Sequence, residues 1–148
     1  MDNNSEIRKK IFDVFPREPV SKIRLSDAAV ADHFGDESKS FKEDWKDWTE
    51  IQDWQLEKCD GSLFAFYEGK DISYFIPRYM IWVLDEMNKG TEARLHAWWG
   101  LRVVSYLANR RKLISYDLYA DFDERQKEVI EDFLIHVEGN NEFRDLLD

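Results

Sequence analysis

Two acidic-to-histidine pairs at four-residue spacing, Glu92 with His96 and Asp132 with His136, are the residues whose types and spacing best suit chemistry. On a helix, positions four apart share a face. Two such helices side by side could therefore turn two carboxylates and two imidazoles toward one divalent metal. The same spacing serves a surface charge pair or a histidine near a helix end, and with 31 acidic residues in 148 such pairs arise readily by chance. The expected state is no metal and no cofactor, with these four residues as the candidates should the protein be a metal-dependent enzyme. Cys59 is the one cysteine and has no local nucleophile motif around it, so a partly buried structural thiol is expected. Glu68-Gly69-Lys70-Asp71 resembles the end of a phosphate-binding loop, but its first glycine is wrongly spaced and no Ser or Thr follows the lysine, so it reads as a turn.

Charge is the second source of candidates. The net charge of −10 argues against general binding to nucleic acid, because that binding depends on Lys and Arg displacing counterions from phosphates. The charge is uneven. Residues 36–60 hold nine acids against four lysines, whereas residues 93–116 hold no acid and carry Arg94, Arg102, Arg110, Arg111 and Lys112. Asp44, Asp47 and Glu50, interleaved with Trp45 and Trp48, are thus candidates for binding a basic protein partner. Arg102, Arg110 and Arg111 are candidates for an opposite, cationic face. The alternative is that Trp98 and Trp99 are core and that Arg102, Arg110 and Arg111 pair with the acidic 36–60 region of the same molecule.

The elements that must position these groups read mostly as helices. Ile7, Ile11, Val14 and Phe15 share a face of a first helix that Ser5 can cap and Pro16 ends. Ser26 or Asp27 can cap a short second helix through Phe34, with Gly35 placed to terminate it. Trp45, Trp48, Ile51 and Trp54 recur every three residues, as in short helical turns that lay indoles on a core. Pro77 suits a first helical turn, which starts a central helix near Phe75 that runs to about Asn88 with Ile76, Met80, Leu84 and Met87 inward. Thr91 can cap a further helix through Leu107 that is apolar nearly all round. Such a helix is either central or covered by a partner, which leaves a homodimer open. Asp123 and Gln126 form a capping-box spacing ahead of Val129, Ile130, Phe133, Leu134 and Val137, and a brief last helix can begin at Asn140 or Asn141.

The fold expected is mainly α: one compact globular domain over residues 1–148, a bundle of about five to six helices, with room for a short extended or hairpin segment near residues 63–74. No run of about 18 uncharged apolar residues occurs, and the start, MDNNSEIRKKIFDVF, lacks the apolar core of a secretory signal. With a lone cysteine, a cytoplasmic, non-membrane protein is the expectation.

The run Tyr74, Phe75, Ile76, Pro77, Tyr79 and Met80, together with the later helix carrying Gln126, Phe133 and Leu134, resembles a family of small, mostly bacterial proteins of unknown function. The resemblance covers about residues 44–137. It implies a shared architecture and no activity, because its signature consists of packing residues. The basic stretch from Arg94 to Lys112 departs from that pattern. With no catalytic motif, the expected function is a protein-protein interaction module, such as an immunity or antitoxin-like protein acting on a basic partner. The alternative is the metal-dependent enzyme built on His96 and His136.

Overall fold

The computed structural model describes residues 3–18, 24–59, 70–89 and 122–139. The fold is mainly α. Among the described residues there are five α-helices and no strand: α1 (Asn3–Val14), α2 (Leu25–Asp32), α3 (Asp53–Cys59), α4 (Lys70–Met87) and α5 (Glu124–Glu138), with two 3-10 turns, Glu37–Lys39 and Trp48–Glu50. The expected helices after Thr91 and after Asn140, and the segment 60–69, lie outside the described residues. So do Glu92, His96, Arg102, Arg110 and Arg111. The chain divides into two units, residues 1–15 with 79–148, and residues 16–78, so that α4 contributes its first half to one and its second half to the other.

In the first unit, α1 buries Ile7 and Ile11 by their four-residue spacing, and Phe15 follows them into the interior. The helix starts at Asn3, ahead of Ser5, which is therefore not its cap. A buried polar contact explains the early start: Asn4, one turn before Arg8, donates its side-chain amide to the Leu84 carbonyl at 3.1 Å. The helix α5 begins as its sequence predicts. Asp123 accepts the Gln126 amide at 2.8 Å, and the Gln126 side chain accepts the Asp123 amide at 2.9 Å, which together satisfy donors that a helix start leaves free. Val129, Ile130, Phe133, Leu134 and Val137 are buried. The same Gln126 side chain donates to the Val14 carbonyl at 3.2 Å, tying the end of α1 to the start of α5. Phe15 and Phe122 meet edge-on at 5.8 Å just outside these two ends.

In the second unit, α2 and α3 surround a core of Leu25, Ala28, Ala29, Trp45, Trp48, Ile51, Leu56, Cys59, Ile72, Phe75 and Ile76. Cys59 is buried, as its reading as a structural thiol requires. Each large apolar side chain so buried contributes about 1.5–3 kcal/mol relative to exposure. The α2 N-terminus corrects the expectation of a Ser26 or Asp27 cap. Leu25 opens the helix, and its N-cap residue, Arg24, makes no side-chain cap bond. The donors are instead taken by the carboxylate of Glu43, far along the chain.

The α4 helix departs furthest from the sequence reading. It begins at Lys70, so Pro77 is an interior residue and not part of a first turn. An interior proline cannot donate to the carbonyl four residues back, and its ring crowds that turn, at a cost of about 3 kcal/mol. The residues from Ile72 to Leu84 are all buried, including Ser73 and Arg78, and burying Ile72, Tyr74, Phe75 and Ile76 ahead of the proline outweighs that cost. A helix buried on every side belongs at a centre of packing. Among the described residues, no helix is long and apolar enough to cross a membrane.

Candidate functional site

The acidic segment expected to bind a partner is partly consumed in building its own unit. The carboxylate of Glu43 accepts the backbone amides of Leu25 at 3.0 Å and Ser26 at 2.6 Å, and the Trp45 indole N–H at 2.7 Å. The Ser26 hydroxyl accepts the Phe41 amide at 2.8 Å. The Arg24 guanidinium lies over the Trp45 ring at 4.5 Å and donates to the Trp45 carbonyl at 3.1 Å. Trp45 also stacks near Tyr74, with ring centroids 6.2 Å apart, and meets Phe75 edge-on at 5.6 Å.

Trp48 is held still more firmly. Its backbone amide donates to the Tyr74 hydroxyl at 3.0 Å, that hydroxyl donates to the Arg17 carbonyl at 2.7 Å, and the indole N–H donates to the Pro16 carbonyl at 2.9 Å. Burial pushes the Tyr74 phenol up to about 12. Trp45 and Trp48 therefore cannot offer their rings to a partner. This corrects their place among the binding candidates, and the reason is that large indoles with satisfied N–H groups gain more in a core than on a surface.

Of the acidic candidates, Asp47 accepts the Thr49 amide at 2.8 Å and the Thr49 hydroxyl, and Glu50 accepts the amides of Lys46 at 3.0 Å and Asp47 at 3.3 Å. Together they form the capping box of the Trp48–Glu50 turn. Asp53 pairs with the buried Arg78, whose Nε donates to the Ile51 carbonyl at 2.8 Å. Asp44, by contrast, extends into solvent, as do Asp27, Glu37 and Glu57.

Two exposed aromatics were not among the sequence candidates. Trp54 is 41% exposed, meets Phe41 edge-on at 5.9 Å and donates its indole N–H to Gln52 at 2.9 Å. Phe34 is 102% exposed and has a φ of 57°, with Gly35 following at 84°. The Gly35 amide donates to the Val30 carbonyl at 2.9 Å and the Phe34 amide to the Ala31 carbonyl at 3.2 Å, which closes α2 in a Schellman motif with Phe34 in its left-handed position. The sequence signal was Gly35, which suggested the stop one residue late. Nothing in the pattern announced a phenylalanine in the strained position.

The enzyme candidates within the described residues lie in the first unit. Asp132 pairs with Lys10 at 3.3 Å, and His136 is half-buried one turn later. The two line a cleft of about 180 Å³ with Asn3, Glu6, Ile7, Lys10 and Ile135. Among the described residues, no group of three or more His, Cys, Asp or Glu converges as a metal site would require.

Comparison with curated proteins finds no match, and neither does comparison with solved structures. A family model does match, over residues 3–146, a span that includes both units and the aromatic and C-terminal helical segments that carry the resemblance. The chain therefore belongs to the family of unknown function DUF6714.

Proposed function

We propose that this protein is a binding module for a basic protein partner, received on the acidic surface of the second unit and acting in the cytoplasm as an antitoxin or immunity protein does, by covering a cationic surface. One observation carries the reading. Asp27, Glu37, Asp44 and Glu57 reach solvent on that unit, while Glu43, Asp47, Glu50 and Asp53 are engaged in its own hydrogen bonds and ion pair. Among the described residues the fold thus uses Glu43, Asp47, Glu50 and Asp53 as structure and leaves the carboxylates of Asp27, Glu37, Asp44 and Glu57 exposed. Exposed carboxylates of one sign speed association with an oppositely charged partner and repel nucleic acid.

The test is capture from native extract with the wild-type chain and with a variant carrying Asp27→Asn, Glu37→Gln, Asp44→Asn and Glu57→Gln. The expected result is a basic protein retained by the wild type at about 50 mM salt and lost at about 500 mM, where screening is several-fold shorter in range. The same protein should be lost from the neutralised variant. Equal recovery by both baits would sink the proposal.

A further inference from the structure

Phe34 carries two costs and makes no ring contact among the described residues. A left-handed backbone costs a side chain with a Cβ about 1–2 kcal/mol, and a phenyl ring left in water gives up the burial that such rings usually gain. An exposed ring on a loose loop would mean little, but this one is fixed. From Val30 to Ser40 the backbone is bonded nearly step by step. The Phe34, Gly35 and Asp36 amides donate to Ala31, Val30 and His33, and the Lys39 and Ser40 amides to Asp36 and Glu37. The ring is therefore held out before any partner arrives, which removes an ordering cost from binding.

Its sequence neighbours are acidic. Asp36 accepts both the Ser38 hydroxyl at 2.7 Å and the Ser38 amide at 3.0 Å, bonds that hold its carboxyl below the usual carboxylate range. Glu37 is exposed. Lys39 stands at the end of the turn, and the His33 Nδ1 bonds to the Ala29 carbonyl at 2.8 Å.

We infer that Phe34, with Asp36 and Glu37, forms a seat for an arginine side chain of the partner, the guanidinium stacking on the ring while the carboxylates take its charge. This rests on the basic-partner reading and names the group that partner contributes. A planar guanidinium stacks on an aromatic face better than a compact, strongly hydrated ammonium, so the seat selects arginine over lysine.

The experiment titrates the full chain with hexa-arginine and with hexalysine at low ionic strength, followed by NMR shifts of the residue 33–40 amides. Wild type is expected to bind hexa-arginine about two- to fivefold more tightly than hexalysine, the range a surface cation–π contact supports. Phe34→Leu keeps the apolar bulk and should abolish that preference with hexalysine affinity unchanged. Phe34→Tyr should retain it, and Glu37→Gln should weaken both peptides alike. An arginine preference that survives in Phe34→Leu overturns the seat while leaving the basic-partner reading intact. Failure of both peptides to bind wild type overturns the reading and the seat with it.

Discussion

Glu43 caps a helix that begins with Leu25: its carboxylate accepts the Ser26 amide at 2.6 Å across 17 residues of chain, in place of any local serine or aspartate. A remote carboxylate at a helix N-terminus does what a local cap does, satisfying free amides and meeting the positive end of the helix dipole. It also ties α2 to the segment that carries Trp45, because the same group takes the indole N–H.

Glu43→Ala should accordingly destabilise the fold by about 2–3 kcal/mol, since it orphans two backbone amides and an indole N–H together. Glu43→Gln, which keeps one acceptor oxygen and loses the charge, should cost about half as much. Chemical denaturation checks both, with the midpoint falling and the slope unchanged. A loss no larger than that of a Ser26→Ala variant would mean the cap is not what holds α2.

Tyr74→Phe removes an acceptor for the Trp48 amide and a donor to the Arg17 carbonyl, and should cost about 1–3 kcal/mol. The hydroxyl also sets a pH dependence. Its pKa is raised from 10.0 to about 12, chiefly by burial, so the folded protein holds a proton that the unfolded chain has released. Stability from this group is therefore fully present below about pH 10 and lost as pH rises toward about 12. Melting curves across that window should show a decline in wild type that Tyr74→Phe reduces. Identical slopes would contradict the linkage.

The Arg78–Asp53 pair should respond asymmetrically to substitution. Arg78 is buried, whereas the Asp53 side chain is 48% exposed. Asp53→Ala strands a buried guanidinium and should cost about 3–5 kcal/mol, the range for an uncompensated interior charge. Arg78→Met leaves the carboxylate free to hydrate, fills similar volume and should cost less. Equal losses, measured by denaturation and compared in a double-mutant cycle, would show that the burial of Arg78 does not dominate.

Phe34→Gly should raise stability by about 1 kcal/mol, because glycine takes the left-handed backbone without strain and no packing is lost. Phe34→Val should lower it, a β-branched residue being worse in that region. Thermal melts decide. A Phe34→Gly variant less stable than wild type would mean that the ring makes a stabilising contact.

Much of the fold was legible from local chemistry. The Asp123 and Gln126 spacing announced the start of α5, and the three- and four-residue spacing of Ile7 and Ile11 announced the inner face of α1. Both signals act within one helical turn, where sequence distance and spatial distance coincide. The length of α4 was not legible, because a proline reads locally as a beginning. Only the burial of Ile72 through Ile76 makes an interior proline worth its lost hydrogen bond. The candidate surface was half legible: the excess of carboxylates was plain, but which of them the fold would engage was not.

By itself the sequence determined a mainly helical chain with an acidic middle segment and an aromatic centre, since periodicity, caps and composition are properties of neighbouring residues. Tertiary structure alone decided between the core and the partner-binding readings of Trp45 and Trp48, and it alone decided that Glu43 caps a helix 17 residues away and that Phe34 is left in solvent. Those outcomes depend on which distant groups compete for the same buried donors and the same interior volume, and that competition is settled only when the chain closes on itself.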